Sequence, residues 1–281
     1  MFDVRRYDRI GSTNDEARRL AEEGAPHGTV VHADEQTAGR GRLARRWFSP
    51  PGNLYLSVLL REVPPERLWQ LSFLSALAVA DAVDALLPSH TRAQLKWPND
   101  VLVGGAKISG ILIEQAGSAV ILGIGINVLV APQGPAYPTT TLAASGGIAT
   151  VDGACSLLLR GLEAWLARWT EGGFPVVREA WLARAHRLGE TLHVATSGRS
   201  ASGVFVGLDA DGALLLDTDA GRVRIVAGDV GGSVAGDGGA GGGAASELGQ
   251  GDAAGEGTRS DGRGDGTAGS VAGGAGPGRT G

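Results

Sequence analysis

Apolar residues follow two rhythms along the chain, one of period two and one close to period four, and the switches between them mark the elements. "FDVRRY" reads as a first strand. "GSTNDEARRLAEEG" reads as a helix in which Thr13 and Glu16 form a T-x-x-E capping box, Ala17, Leu20 and Ala21 line one face, and Gly24 is the stop. Ser12, Thr13 and Asn14 then sit at a strand-to-helix corner. "GTVVHADEQ" and "NLYLSVLL" are strands flanking "TAGRGRLARRWFSPPG", a loop too polar and too glycine-rich to pack. A long apolar helix spans about Glu66 to Leu87. Three extended runs follow, "AQLKWP", "KISGILIEQ" and "AVILGIGINV", separated by Asn-Asp, Gly-Gly and Ala-Gly-Ser turns. Strict alternation from Lys107 puts Ser109, Ile111 and Ile113 on its face.

Further on, "GACSLLLRGLEAWLARWTEG" and "FPVVREAWLARAHRL" read as two helices, the first with Leu158, Leu162, Trp165 and Trp169 on one side. From Gly189 the pattern changes to short alternating segments joined by Asp-Gly and Ala-Gly turns, a small all-β, barrel-like module. The chain therefore reads as α+β: a mixed sheet packed on helices over residues 1–187, then the β module over 188–232. Residues 233–281 make a third part. Of the 47 glycines, 21 fall in the last 51 residues, with no aromatic residue and no Gly-X-Y period, so this segment reads as a disordered tail.

Composition narrows the function classes. The chain has 281 residues, a net charge of −5 and no basic stripe, which argues against nucleic acid as a partner. The first twenty residues show no basic segment followed by an apolar run, and the most apolar helix carries Asp81 and Asp84, so a leader and a membrane span are both disfavoured. A cytoplasmic setting fits. The one cysteine, Cys155, lies in "ACSLLL" and reads as a core residue. "GRGRLA" and "GIGINV" lack the third glycine of a dinucleotide fingerprint, and neither a P-loop nor a G-x-S-x-G elbow occurs. The five histidines show no zinc-ligand spacing.

What remains is a cluster of anion-binding groups. Arg40, Arg42, Arg45 and Arg46 fall within seven residues, with Gly39 and Gly41 allowing close backbone approach. Such a loop alone also fits a solvated basic turn. All the other basic residues are arginine except Lys96 in "KWPND" and Lys107 in "GGAKISG". A compact, rotatable ammonium does what a planar guanidinium does not. Asp100 among these cations is a candidate for holding Mg²⁺, with a salt-bridged structural aspartate as the competing reading. Arg40 and Arg42 are expected to become ordered only when a ligand neutralises them.

Taken in order, "STN", "EQTAGRGRLARRWFSPPGNLYLS", "KWPNDV", "AKISGILIE" and "GIGINV" resemble the biotin–protein ligases over residues 7 to 130, and "GVFVGLDADGALLL" with "AGDV" resembles that family's small C-terminal domain. The resemblance implies a class II synthetase-like catalytic domain followed by an SH3-like barrel. It also implies the chemistry: biotin and ATP give biotinyl-5′-adenylate, and a lysine of a biotin carboxyl carrier domain, of an acyl-CoA or pyruvate carboxylase, then displaces AMP. Carried over by motif, Ser12, Thr13, Asn14, Gln36, Arg40, Gly41, Arg42 and Lys107 would bind biotin. Arg40, Arg42, Arg45, Trp47, Lys96, Asn99 and Asn127 would bind ATP. Lys107, Arg42, Lys96 and Asp100 would carry the catalysis, with Asp100 on Mg²⁺. Where many relatives have glycine, this chain has Ala44. No room is left before the first strand for the DNA-binding domain that makes some relatives repressors, whereas a homodimer is compatible with the sequence. The rivals are a lipoate-type protein ligase and a biotin-binding sensor that does not transfer its ligand.

Overall fold

The computed structural model describes residues 2–132, 137–147, 150–196 and 199–230. The glycine-rich segment read as a tail lies outside them. Strand β1 (Asp3–Ile10) leads into helix α1 (Thr13–Glu22), then β2 (Thr29–Gln36) and β3 (Leu54–Arg61), with the arginine-rich loop between the last two. Helix α2 (Gln70–Asp84) is shorter than the apolar run that predicts it, because Pro64 and Pro65 hold its approach in a separate 3-10 turn, Pro65–Arg67. Four strands follow: β4 (Ala93–Lys96), β5 (Asp100–Val103), β6 (Ala106–Ala116) and β7 (Ala119–Ile126). The Asn-Asp pair is not a simple turn between two strands. Lys96 pairs with Asp100, so Trp97, Pro98 and Asn99 make the reversal and Asp100 already opens β5.

These strands form one mixed seven-stranded sheet in the order β1-β2-β3-β7-β6-β5-β4, parallel only between β1 and β2. One face is covered by α2 and α3 (Val151–Leu182). Helix α3 comprises two runs that meet at Gly173, whose φ of 67° and ψ of −166° break the helix just before Pro175. This is the pair of helices the sequence predicts. Leu158, Leu162, Trp165 and Trp169 all point inward, and each large apolar side chain so buried contributes roughly 2 kcal/mol. The two aspartates of α2 are paired: Asp81 accepts from Trp165 Nε1 at 2.8 Å and from Arg184 at 2.8 Å, and Asp84 from Arg184 at 2.8 Å.

The small module is an antiparallel sheet of β8 (Thr191–Thr196), β9 (Arg199–Leu208), β10 (Leu214–Thr218), β11 (Gly221–Ile225) and β12 (Asp229–Val230), in the order β11-β10-β9-β8-β12. It is joined to the β4–β5 hairpin by Trp97 Nε1, which donates to the Gly212 carbonyl at 3.1 Å. No helix among the described residues is long and apolar enough to cross a membrane.

Candidate active site

The second face of the large sheet carries α1 at one end and, beside it, a cleft of about 750 Å³ that includes an open mouth. At its inner end the expected capping box is not used. Ser12, extended at φ −154° and ψ 137°, is the residue before the first turn, and its side chain makes no capping bond. The amide and hydroxyl of Thr13 instead donate to Gln36 Oε1 at 2.8 and 3.1 Å, while Glu16 accepts from the Tyr7 hydroxyl at 2.8 Å and from Arg19. A free amide at the start of a helix is thus satisfied by a strand residue brought alongside by the β1–β2 pairing. Ser57 Oγ lies 2.7 Å from Thr13 Oγ1 and 2.5 Å from Asn14 Oδ1, and its single proton serves one of them at a time. Asn14 Nδ2 donates to Glu114 at 2.7 Å, and Gln36 Nε2 to Ser49 Oγ at 2.9 Å. Ser12, Thr13 and Asn14 are each only 4% exposed.

The floor of the cleft is bare backbone. Gly110 of β6 pairs with Gly125 of β7, and Leu112 with Gly123. A Cβ at Gly125 would lie 2.4 Å from Trp47 Nε1, one at Gly110 would lie 2.9 Å from Trp47 Cζ3, and one at Gly123 would lie 2.3 Å from Asn14 Oδ1. The Trp47 indole therefore rests on the two paired glycines. Its Nε1 is buried and has no hydrogen-bond partner among the described residues.

The arginine-rich loop folds back on itself. Gly41 N–H donates to the Arg45 carbonyl at 2.7 Å and Trp47 N–H to the Gly39 carbonyl at 2.9 Å. Leu43 and Ala44, at its tip, have φ of 55° and 56°, the region glycine enters without cost, so the Ala44 position is one that would reward the glycine the resemblance implies. The expectation that Arg40 awaits a ligand is corrected: protein carboxylates already neutralise it, Asp15 through bonds of 2.5 and 2.7 Å and Glu114 through one of 3.2 Å. Arg42 donates to the uncharged Asn99 Oδ1 at 3.0 Å. Arg45 pairs with Asp229 of β12.

Lys107 and Asp100 meet at 2.6 Å, both mostly buried. The face expected for Lys107 is also corrected. The register runs Asp100 to Gly110, Val101 to Ser109, then Leu102 to Lys107, so β6 carries one extra residue and its alternation slips. Lys107 therefore shares the face of Gly110 rather than of Ser109, and its Nζ stands 5.4 Å from the ring centres of both Trp47 and Tyr137. Lys96 is not in the cleft. It lines an adjoining groove with Arg45, Asp100, His193 and Asp229, where burial holds its ammonium below the ordinary lysine range, against the opposing pull of Asp100. Asn127 is buried and donates to the Thr140 carbonyl at 3.1 Å, lining a smaller cavity that Trp47, Lys107 and Tyr137 share.

The cleft brings together Ser12, Thr13, Asn14, Gln36, Arg40, Gly41, Arg42, Arg45, Trp47, Asn99, Asp100 and Lys107. Sequence reasoning missed Ser57, Glu114, Tyr137 and the floor glycines. The "GIGI" alternation was the available signal for the last of these. Among the described residues no group of three or more His, Cys, Asp or Glu is assembled to hold a metal ion.

A buried polar end, a glycine floor and a set of arginine and lysine side chains share one cleft on a mixed sheet, an arrangement suited to an anionic ligand. Residues 7–130 match the model of the biotin/lipoate A/B protein ligase family and residues 188–230 that of the biotin protein ligase C-terminal domain, and the chain belongs to this family. It is 40% identical to the biotin–[acetyl-CoA-carboxylase] ligase of Paracoccus denitrificans over 79% of this chain and 97% of that one. Its fold matches the biotin protein ligase of Aquifex aeolicus in complex with biotin and ATP, at a TM-score of 0.73 and 31% identity, covering 82% of this chain and 98% of that one. The biotin protein ligase of Leishmania major in complex with biotinyl-5-AMP gives a TM-score of 0.61 at 27% identity, covering 80% and 99%.

Proposed function

We propose that this chain joins biotin to ATP as biotinyl-5′-adenylate and then passes the biotinyl group to a lysine of a carboxylase carrier domain. The observation that carries the reading is the pairing, in one cleft, of a buried polar pocket at Asn14 and Gln36 with the Lys107 ammonium. The ureido ring of biotin offers two N–H donors and one carbonyl acceptor, which suits Ser12, Thr13, Asn14, Gln36 and Ser57. Its carboxylate then lies toward Lys107 and Arg42.

In the first step a carboxylate oxygen attacks the α-phosphorus and the bond to pyrophosphate breaks. Two anions approach each other, so cations placed where charge accumulates stabilise the transition state more than the ground state. Lys107 and Arg42 fill that role, with Lys96 and Arg45 toward the departing phosphates, Trp47 and Asn127 toward the nucleotide, and Asn99 holding Arg42. In the second step the neutral amine of the carrier lysine attacks the acyl carbon, AMP leaves, and the proton shed by the amine goes to solvent or to AMP. Mg²⁺ would come with the triphosphate and neutralise part of its charge. One carboxylate, Asp100, plus phosphate oxygens suits a metal that keeps most of its own water. We assign residues 1–187 to the catalytic part and 188–232 to the small domain, with the work placed in the cytoplasm. Incubating the chain with labelled biotin, ATP, Mg²⁺ and a carboxylase carrier domain tests the reading: covalent label on the carrier is expected, and none with lipoate in place of biotin.

A further inference from the structure

Glu114 neither lines the cleft nor joins the apolar core, yet donors from two separate segments converge on its carboxylate. Asn14 Nδ2 donates to Oε2 at 2.7 Å, Arg40 Nη2 lies 3.2 Å from the same oxygen and 3.4 Å from the other, and Arg18 adds an ion pair at 3.5 Å. The side chain is 24% exposed, so these contacts are only partly screened. It projects from the β6 face that also carries Lys107 and Gly110, opposite Ile121 of β7. The proposed chemistry does not use it.

We propose that Glu114 is a positioning residue that fixes which end of the Asn14 amide faces the ligand and ties the arginine-rich loop to that choice. This rests on the activity proposed above. A side-chain amide is a donor at one end and an acceptor at the other, so its orientation decides what it recognises. An ionised carboxylate only accepts, so the Nδ2 end of Asn14 must face Glu114. Oδ1 is then turned to Ser57 and the bare backbone of Gly123, and Asn14 meets the cleft as an acceptor for an N–H group. The same carboxylate holds Arg40 at the start of the loop. Arg40 has a second anchor, Asp15, which binds it through two bonds and does not touch the Asn14 amide. The two carboxylates therefore share the loop, and only one of them also governs the ligand.

Two isosteric variants separate these duties. A glutamine side chain both donates and accepts, so Glu114→Gln frees the Asn14 amide to turn, whereas Asp15→Asn weakens only the loop anchor. Biotin binding is measured by calorimetry without nucleotide, then KM for biotin and for ATP, and release of biotinyl-adenylate is followed by trapping with a free amine. Glu114→Gln is expected to weaken biotin binding about tenfold, to leave KM for ATP within about twofold of the parent's, and to speed adenylate release. Asp15→Asn is expected to speed release while biotin affinity stays at the parent's value. Parental biotin affinity in Glu114→Gln overturns the proposal. So does an equal rise of both KM values with a lower melting temperature, the mark of fold support alone. A parent chain that binds no biotin overturns the activity itself, a different result from either.

Discussion

The two faces of the seven-stranded sheet are built from the same strands, yet one is apolar throughout its centre and the other gives its centre to the cleft. On the face under α2 and α3, β3 and β7 present Leu54, Leu56, Val58 and Leu60 beside Val120, Leu122, Ile124 and Ile126. On the other face Val31, Leu59, Ala119 and Ile121 form a smaller apolar cluster under α1, and beside it the intervening residues are Ser57, Gly123 and Gly125, with Gly110 and Glu114 from β6. One residue along a strand separates a side chain that holds the protein together from one that meets the ligand. Stability and recognition are thus written in alternate letters of single segments such as "GIGI". A change at the centre of the helix-covered face should move stability and spare recognition, and a change in the cleft should do the reverse.

The largest effect is expected at Lys107. If positive charge alone mattered, Lys107→Arg would be mild. A guanidinium is longer and planar, and it must replace an ammonium that stands 2.6 Å from Asp100 between two aromatic rings. Losing one charge-assisted contact made chiefly in the transition state is worth about 3 kcal/mol, roughly a hundredfold. Adenylate formation, read as pre-steady-state pyrophosphate release, should slow by about that factor. The melting temperature should stay near the parent's. Near-parental release would remove Lys107 from the chemistry.

Next comes a pair of substitutions three residues apart on β7. Leu122→Ala empties a fully buried position on the helix-covered face and should cost about 3 kcal/mol of unfolding free energy, with kcat unchanged well below the melting temperature. Gly125→Ala adds a methyl group where a Cβ would stand 2.4 Å from Trp47 Nε1. The indole must move, at a cost of about 2 kcal/mol that falls on ATP-dependent ligation rather than on folding. Denaturant melts and steady-state rates on both variants check the crossing pattern. If Gly125→Ala lowers stability as much as Leu122→Ala does, the two faces are not separable.

Arg42→Gly should have a smaller effect and a different signature. Its guanidinium bonds to Asn99 Oδ1 and lines the cleft from the arginine-rich loop rather than from the sheet. The adenylate should still form, but should escape about tenfold faster, seen as labelling of a free amine when no carrier is present. Retention equal to the parent's would mean that the loop is not a gate.

The alternation that separates the faces also sets how far the site could be read from sequence. The helix-covered face was legible because apolar spacing is a repeated signal, and the "STN" corner, the loop and both lysines stand out as local clusters. Three kinds of feature were not legible. The slip at Lys107 is one extra residue in a strand, which leaves the hydrophobic pattern on either side intact. Thr13 looked like a cap because its neighbours fit a capping box, whereas the partner it uses, Gln36, is 23 residues away and becomes adjacent only through strand pairing. Glu114 carries no local signal, since nothing in "ILIEQ" indicates that Asn14 lies against it, 100 residues away in sequence.

The smallest effect is expected from a buried ionisable residue on the apolar face of β2. His32 shares that face with Val30 and Leu56, is 1% exposed, and has no hydrogen-bond partner for either ring nitrogen among the described residues. Burial pushes its imidazole below the ordinary value of 6.5, nearby Arg6 pushes the same way, and Asp34 and Asp152 oppose more weakly. The folded state thus keeps His32 neutral where the unfolded chain would already be protonated. The unfolded state binds more protons as pH falls through about 6.5, so stability is lost in that direction, and a neutral replacement removes the penalty. His32→Leu should therefore flatten the fall in melting temperature between about pH 7.5 and pH 5.5, with ligation at neutral pH unchanged. A parallel fall in parent and variant would assign the acid sensitivity to other groups. A variant that loses ligation while keeping its melting temperature would show that the apolar face reaches the chemistry after all.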